Sequence, residues 1–519
     1  MPRQGAELKP AVVLLQGDGP NVACASGGNW ARDDARYRRI HCAGLGQVIE
    51  TLENLGEESG PVALIVLSLE RDPLAVFQYF RQISQTHPLA LRAVIAPPGM
   101  RATAMAAVRV GDIDRVISAD ASAEEAGRAI GSLLDRYEAL ERLSLQAPGR
   151  LGRHIFITGA TGFLGKCMVA DLLRCGDARI TVLCRGDRTS SYDNRLPFTA
   201  ADFPGRLECV EGDVTLPRLG MTAEQWDRAV ASVDEIWHLA AVTSFRETQR
   251  RQIMEVNVEG TRAMLAFAAA CPRLNCFNHV SSAYVAGRRT WPEVVHEQLV
   301  AVPPSFNNVY EESKFLAERL VAESGLPHLV YRPSIIFGES YSGRSDGKTV
   351  YGVVRALLQA HRIAKRNNGH GNGSASAVRI VAETGATLNL LPLDWVVDSM
   401  ISLRAQAEPD GTVFHVAHSQ ATTMGELHGA AMGALDIHEV RFDAQLASEK
   451  MTPLEAIFHR QAGPFVQYML HADPAFDVTN TESILGANPY PELGPDFLRF
   501  ALQSYAEMTD PPRERERSV

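Results

Sequence analysis

His154-Ile-Phe-Ile-Thr-Gly-Ala-Thr-Gly-Phe-Leu-Gly165 is the stretch whose reading decides the fold. Ile155, Phe156 and Ile157 form a short apolar run of the kind that becomes a strand buried on both faces. Thr158 follows, glycines stand at 159, 162 and 165, and Met168, Val169, Leu172 and Leu173 then repeat at helical spacing. Strand, glycine turn and helix in that order make a cradle for a pyrophosphate. Gly159 permits the tight turn, Gly162 lets the backbone approach the phosphates, and Gly165 lets the helix pack on the strand. The N–H groups at the helix start, around Thr161, Phe163 and Leu164, then face the anion.

Downstream, about twenty residues beyond Gly165, the pattern calls for the side chain that reads the adenosine ribose. Arg185 stands there, after the strand 180–184. A guanidinium suits the 2′-phosphate of NADP by charge and forked geometry, and Asp187 keeps NAD open as the less favoured cofactor. Glu211-Gly-Asp-Val214 ends a third strand, where the Asp213 carboxylate, next to Val214, can meet an adenine amino group. His238-Leu-Ala-Ala241 ends a fourth, and small residues at Ala240 and Ala241, after Leu239, let a cofactor lie close over the sheet edge. Further strands are expected at 276–285 and 328–338, and helices at 222–231, 247–271, 308–324 and 349–365.

Tyr310-Glu-Glu-Ser-Lys314 opens a helix, and its i, i+4 spacing puts phenol and ammonium on one face. A phenol titrates near about 10, and a neighbouring cation is expected to draw that value down toward the working range. Ser282, in HVSSAYVAG, supplies a hydroxyl for the substrate oxygen, while strand alternation turns Ser281 to the opposite face.

Upstream, residues 11–145 read as a separate unit. AVVLL (11–15), YRRIHCA (37–43), ALIVLSL (63–69), RAVIA (92–96) and DRVIS (114–118) alternate with helical patterns at 45–55, 74–84, 101–110 and 122–143. Alternation of this kind implies a parallel doubly wound sheet. The order and spacing resemble the receiver domain of bacterial two-component systems. A working receiver needs an acidic pair after its first strand, an aspartate ending its third and a lysine ending its fifth. Here the first strand ends Gln16-Gly17-Asp18, Ser68 takes the acceptor position, and Ala119 falls near the lysine position. Without a carboxylate there is no acyl phosphate to form, so the resemblance implies a degenerate, pseudo-receiver domain.

From 153 to about 405 the chain resembles the extended short-chain dehydrogenase/reductase family. The resemblance rests on TGATGFLG (158–165), GDV (212–214), HLAA (238–241), NVEGT (257–261), HVSSAYVAG (279–287), YEESK (310–314) and YRPSIIFG (331–338). It implies that Tyr310 and Lys314 are catalytic with Ser282 as third member, and that Asn257 has a structural or proton-relay part. It also implies that Pro333, Ser334 and Ile335 lie by the nicotinamide, and that Lys314 holds its ribose. HVSSAYVAG is similar to the matching motif of fatty acyl-CoA reductases. YEESKFLAERLV and LNLLPLDWVVDSM (388–400) are similar to thioester reductase domains of carboxylic acid and peptide reductases. The implied reaction is hydride transfer from NADPH to the carbonyl carbon of an acyl thioester, fatty acyl-CoA or carrier-bound, giving aldehyde or alcohol. A hydroxysteroid-dehydrogenase-like ketone/alcohol oxidoreductase and a nucleotide-sugar epimerase or dehydratase share the cofactor motifs. An NADP-bound sensor acting through the pseudo-receiver is the reading of another class.

The expected architecture is therefore α/β, two tandem doubly wound domains: 1–146 receiver-like, 147–405 an NADP-binding Rossmann domain, and 406–519 a small, mostly helical substrate cap and tail. Residues 367–377 read as a loop. The net charge of -10 argues against nucleic acid. No run is long and apolar enough for a membrane span, and MPRQGAELKP is no signal peptide. Eight cysteines without CxxC spacing suggest neither a metal site nor a disulfide framework. A reduced, cytoplasmic protein is expected. Its expected partners are a lipid-like or acyl thioester substrate, an acyl carrier protein and, in a homodimer, a second copy of the chain.

Overall fold

A computed structural model describes residues 11–16, 37–55, 61–69, 73–146, 149, 151–186, 203, 205–368, 378–435 and 440–509. Asp18, Asp72 and Asp187, and residues 369–377 of the expected loop, lie outside them. The chain divides into two compact units, residues 1–145 with 507–519, and residues 146–506.

The first unit holds five parallel strands, β1 Ala11–Gln16, β2 Tyr37–Cys42, β3 Val62–Ser68, β4 Leu91–Ala96 and β5 Arg115–Ser118. Their order, β2-β1-β3-β4-β5, is a doubly wound order that reverses between β1 and β3. The apolar runs of β3 and β4 explain their central places: every residue of β4, and all of β3 except Ser68, is buried. Ser68 ends β3, so a hydroxyl stands at its carboxyl end.

The second unit is built on seven parallel strands. These are β6 His154–Thr158, β7 Arg179–Cys184, β8 Leu207–Glu211, β9 Glu235–His238, β10 Cys276–Val280, β11 His328–Pro333 and β12 Asp410–Val416. Their order is β8-β7-β6-β9-β10-β11-β12, with the reversal between β6 and β9. That switch point places the glycine turn, at the carboxyl end of β6, where open α/β sheets bind ligands.

Two differences from the sequence expectation matter. The boundary at 405 falls inside the sheet, because Asp410–Val416 pairs in parallel with β11 and supplies the seventh strand. Phe414 packs against Tyr331 at 6.0 Å, and Tyr331 against Trp237 at 5.3 Å, so an aromatic stack ties β12 through β11 to β9. The run expected as one strand over 328–338 is broken at Ser334. Its amide donates to the Val416 carbonyl, and Ile335–Phe337 leaves the sheet to pair with Leu390–Pro392. Around that ladder a second apolar cluster gathers Phe337, Tyr351, Phe458, Leu498 and Leu502, a largely helical body beyond the sheet.

Phe414 is 1% exposed. Truncating a buried aromatic ring typically costs about 3–5 kcal/mol. Phe414→Ala should lose that much in urea unfolding of the full chain; a loss below about 1 kcal/mol would contradict the placement of β12 in the sheet.

Candidate active site

A cleft of about 450 Å³ borders the switch point. Thr158, Gly159, Thr161, Gly162, Phe163, Leu164 and Gly165 line it from the glycine turn, and Arg185, Asp213 and Val214 from the ends of β7 and β8. Leu239, Ala240 and Ala241 line it from the segment after β9, Ser281 and Ser282 from the segment after β10, Tyr310 and Lys314 from the helix Val309–Ala322, Pro333 from the end of β11, and Ser334 and Ile335 from just beyond it. Residues up to 177 positions apart thus share one cavity.

The turn is compressed where it must be. Gly159 has φ of +75°, and a Cβ on it would sit 2.6 Å from the Ala240 amide nitrogen. A Cβ on Gly165 would sit 2.2 Å from the Gly159 carbonyl oxygen. Gly162 caps the helix Phe163–Cys175 without a side-chain hydrogen bond, and no acidic residue occupies its first turn. The leading N–H groups are therefore left for an anion.

These residues fit a dinucleotide. The uncapped helix start suits a pyrophosphate. Arg185 is exposed and has no side-chain partner among the described residues, so its guanidinium is available to a ribose phosphate. The Ser334 hydroxyl, in a residue 7% exposed, borders the cleft with no hydrogen-bond partner, as a group awaiting a ligand does. Asp213 is partly committed: Oδ1 accepts from the Thr215 amide at 2.9 Å and its hydroxyl at 2.8 Å.

Two buried polar clamps hold the frame. His238 bridges the Thr158 hydroxyl at 2.8 Å and the Thr261 hydroxyl at 3.0 Å, and burial, aided by the Lys314 cation, pushes its pKa down to about 3. It is a neutral bridge between the turn and the helix Gly260–Ala270. Asn257 lies in a single π-turn, Glu255–Glu259. It accepts from the Val242 amide at 2.7 Å and donates to the Val242 carbonyl at 3.2 Å and the Ser313 hydroxyl at 2.9 Å. Ser313 in turn donates to the Tyr310 carbonyl at 2.7 Å. These bonds occupy Asn257 as a clamp between the β9 loop and the Tyr310 helix.

Lys314 is buried, and its ammonium donates to the Val280 carbonyl at 2.7 Å, tying the Tyr310 helix to β10. Burial lowers its pKa from 10.5 to about 8 against the opposing pull of Glu318. The Tyr310 phenol faces Ser282, whose hydroxyl accepts from the Tyr284 amide at 3.3 Å. The sequence expectation of a lowered Tyr310 pKa is overturned: burial pushes it up to about 12, partly opposed by Ser282. The lysine ammonium donates to a backbone carbonyl, and desolvation decides the direction of the shift, with the Glu311 charge adding to it. Ser281 turns away, donating to Glu318 at 2.7 Å, and Glu318 is ion-paired with the fully buried Arg332.

Sequence reading missed Phe245 and Tyr284, which also line the cleft. Phe245 packs 5.8 Å from Tyr310, and the Tyr284 hydroxyl donates to Asp473 at 2.7 Å. Only the position of Tyr284 two residues beyond Ser282 offered a signal; Asp473 arrives through tertiary folding.

Residues 157–400 match the family profile described as male sterility protein, an NAD-binding domain. Fatty acyl-CoA reductase 1 of Xenopus laevis is 28% identical over 293 residues, 48% of this chain and 54% of that protein. A polyketide synthase-nonribosomal peptide synthetase of Aspergillus clavatus is 32% identical over 213 residues, 39% of this chain and 5% of that protein. The chain thus spans about half the length of the first relative and a small part of the second. The terminal R domain of the myxalamid PKS-NRPS pathway superposes with a TM-score of 0.56 at 24% identity, covering 71% of this chain and 97% of that domain, which shows the fold. Residues 157–400 thus match an NAD-binding family profile, and the chain shares its fold with that R domain. Over this stretch the chain is similar in sequence to male sterility proteins and to a fatty acyl-CoA reductase.

Between pH 8 and 10.5 the unfolded chain holds a proton that folded Lys314 has released, so this group makes stability rise with pH. Thermal melts of wild type and Lys314→Met from pH 7 to 10 should show the wild type gaining on the variant as pH increases. A difference that stays constant would place Lys314 in a solvated position.

Proposed function

We infer that the protein is an NADPH-dependent reductase acting on the carbonyl carbon of an acyl thioester, a fatty acyl-CoA or a carrier-bound acyl group, to give aldehyde or alcohol. The observation that carries this reading is the meeting of Tyr310, Ser282 and Lys314 in the cleft that holds the glycine turn. The names of the reductase relatives support the thioester as substrate class. The bound dinucleotide supplies the hydride. Ser282 and Tyr310 hold the carbonyl oxygen by hydrogen bonds, and as charge develops there Tyr310 delivers its proton. Its high pKa keeps Tyr310 protonated throughout the neutral range, in the form a general acid requires. Collapse of the resulting hemithioacetal releases the thiol and leaves the aldehyde. Lys314, anchored to Val280, holds the nicotinamide ribose. Arg185 selects NADPH over NADH through the 2′-phosphate. Among the described residues no helix is long and apolar enough to cross a membrane.

The first unit completes the proposal as a degenerate receiver with a packing or dimerisation role. Ser68 cannot form the acyl phosphate that an aspartate would. Full-length protein incubated with acetyl phosphate and magnesium should gain no mass. A stoichiometric phospho-adduct on an aspartate, Asp18 and Asp72 first among them, would make the unit a working switch.

Cofactor oxidation measured against acyl-CoAs, ketones and nucleotide sugars tests the substrate class, and turnover is expected with the thioesters alone. Tyr310→Phe keeps the ring and loses the acid, so kcat should fall about 10²- to 10⁴-fold with NADPH affinity nearly unchanged. Arg185→Ala should weaken NADPH binding by about 1.5–3 kcal/mol and leave NADH alone. Wild-type turnover in Tyr310→Phe would remove the proposed acid from the mechanism.

A further inference from the structure

Two thiols lie against each other beside the residue proposed to read the adenosine ribose. Cys184 ends β7, Cys209 lies within β8, and their sulfurs are 2.9 Å apart, with the Cys209 thiol donating. The parallel register pairs Val182 with Cys209 and Cys184 with Glu211. Both side chains therefore leave the same face of the sheet, offset by two residues. Cys184 is 1% exposed, whereas Cys209 is only partly buried and can meet a solute. Arg185 follows Cys184 directly, and the Cys184 carbonyl accepts from the Gly212 amide at 2.8 Å. Arg185, Gly212 and Asp213 all border the cofactor cleft. The proposed reaction uses neither sulfur.

We propose that Cys184 and Cys209 form a redox-modification site, closed to a disulfide by a peroxide-class oxidant, that switches the affinity for NADPH. The Cys209 thiolate attacks a peroxide oxygen, giving a sulfenic acid and one water. The Cys184 thiolate then attacks the Cys209 sulfur and displaces the second. Two thiols and one peroxide become one disulfide and two waters, and a thiol reductant reverses the change. Where disulfides do form in a reducing compartment they are usually transient, serving catalysis or redox sensing.

The coupling to the cofactor follows from the register. A disulfide holds its two Cα atoms within about 7 Å and its Cβ atoms within about 4.5 Å. Residues offset by two positions on neighbouring strands reach that spacing when the end of β7 is drawn along β8. Arg185 is the next residue and moves with it, away from the position in which it meets a 2′-phosphate. The affinity change rests on the reading of Arg185 given above; the chemistry of the thiols does not.

Reduced full-length protein is titrated with hydrogen peroxide, mapped by non-reducing peptide mass spectrometry, and assayed for NADPH and NADH binding before and after addition of dithiothreitol. We expect loss of two hydrogens and a linked peptide containing Cys184 and Cys209. The NADPH Kd should weaken by about 10-fold or more, the scale of one charge-assisted phosphate contact, with a much smaller change for NADH. Dithiothreitol should restore it, and Cys209→Ser should keep its reduced-state affinity under peroxide. Absence of the linked peptide would overturn the modification site, and a linked peptide with both affinities unchanged would overturn the switch. Arg185→Ala, assayed reduced, separates the two readings: unchanged NADPH affinity there removes Arg185 as phosphate reader whatever the map shows.

Discussion

A buried ammonium donating to a strand carbonyl is the contact on which the site depends. Lys314 reaches the Val280 oxygen at 2.7 Å, and that bond docks the helix bearing Tyr310 onto the strand that leads to Ser282. Burying the charge is costly, as the fall of its pKa to about 8 records. Glu318, one helical turn on and paired with Arg332, supplies the opposing field. Asn257 secures the other side, joining the β9 loop to Ser313 on the same helix. Two polar clamps thus fix Tyr310 against a cleft framed by the glycine turn. Both rest on side chains that the dinucleotide cradle itself does not require.

The turn was legible because its spacing is local. Gly159 and Gly165 lie within the span of one strand and one helix; the Gly159 carbonyl explains Gly165, whereas the pressure on Gly159 comes from Leu239 and Ala240 after β9. Arg185, Asp213 and the small residues after His238 follow from counting along alternating strands. Three features depended on long-range contacts and could not be counted. Asp410–Val416 joins the sheet because Phe414 finds Tyr331, a partner 83 residues away. The Tyr310 pKa rises because desolvation in the fold outweighs the opposing Ser282 hydroxyl, a partner that arrives through folding. Phe245 reaches the cleft from outside any motif, and Tyr284, within HVSSAYVAG, is held there by Asp473 from a distant segment.

A neutral, firmly protonated Tyr310 has a chemical consequence. It suits reduction, in which a carbonyl oxygen gains a proton, better than a reaction that begins by removing one. Ser282 faces the cleft beside Tyr310, while Ser281, next in sequence, donates to Glu318. The segment after β10 thus sends its two adjacent hydroxyls to different partners. Phe245 and Tyr284 give the cleft an aromatic side.

Hydride tracking tests the central claim most directly. Full-length protein is given NADPH deuterated at the transferred position together with a long-chain acyl-CoA, and the products are read by mass spectrometry and thiol titration. The account predicts deuterium on the former carbonyl carbon of an aldehyde or alcohol, with one free thiol released per thioester consumed. Oxidation of NADPH without deuterium in an acyl product, or deuterium transfer only to a ketone or sugar substrate, would contradict it.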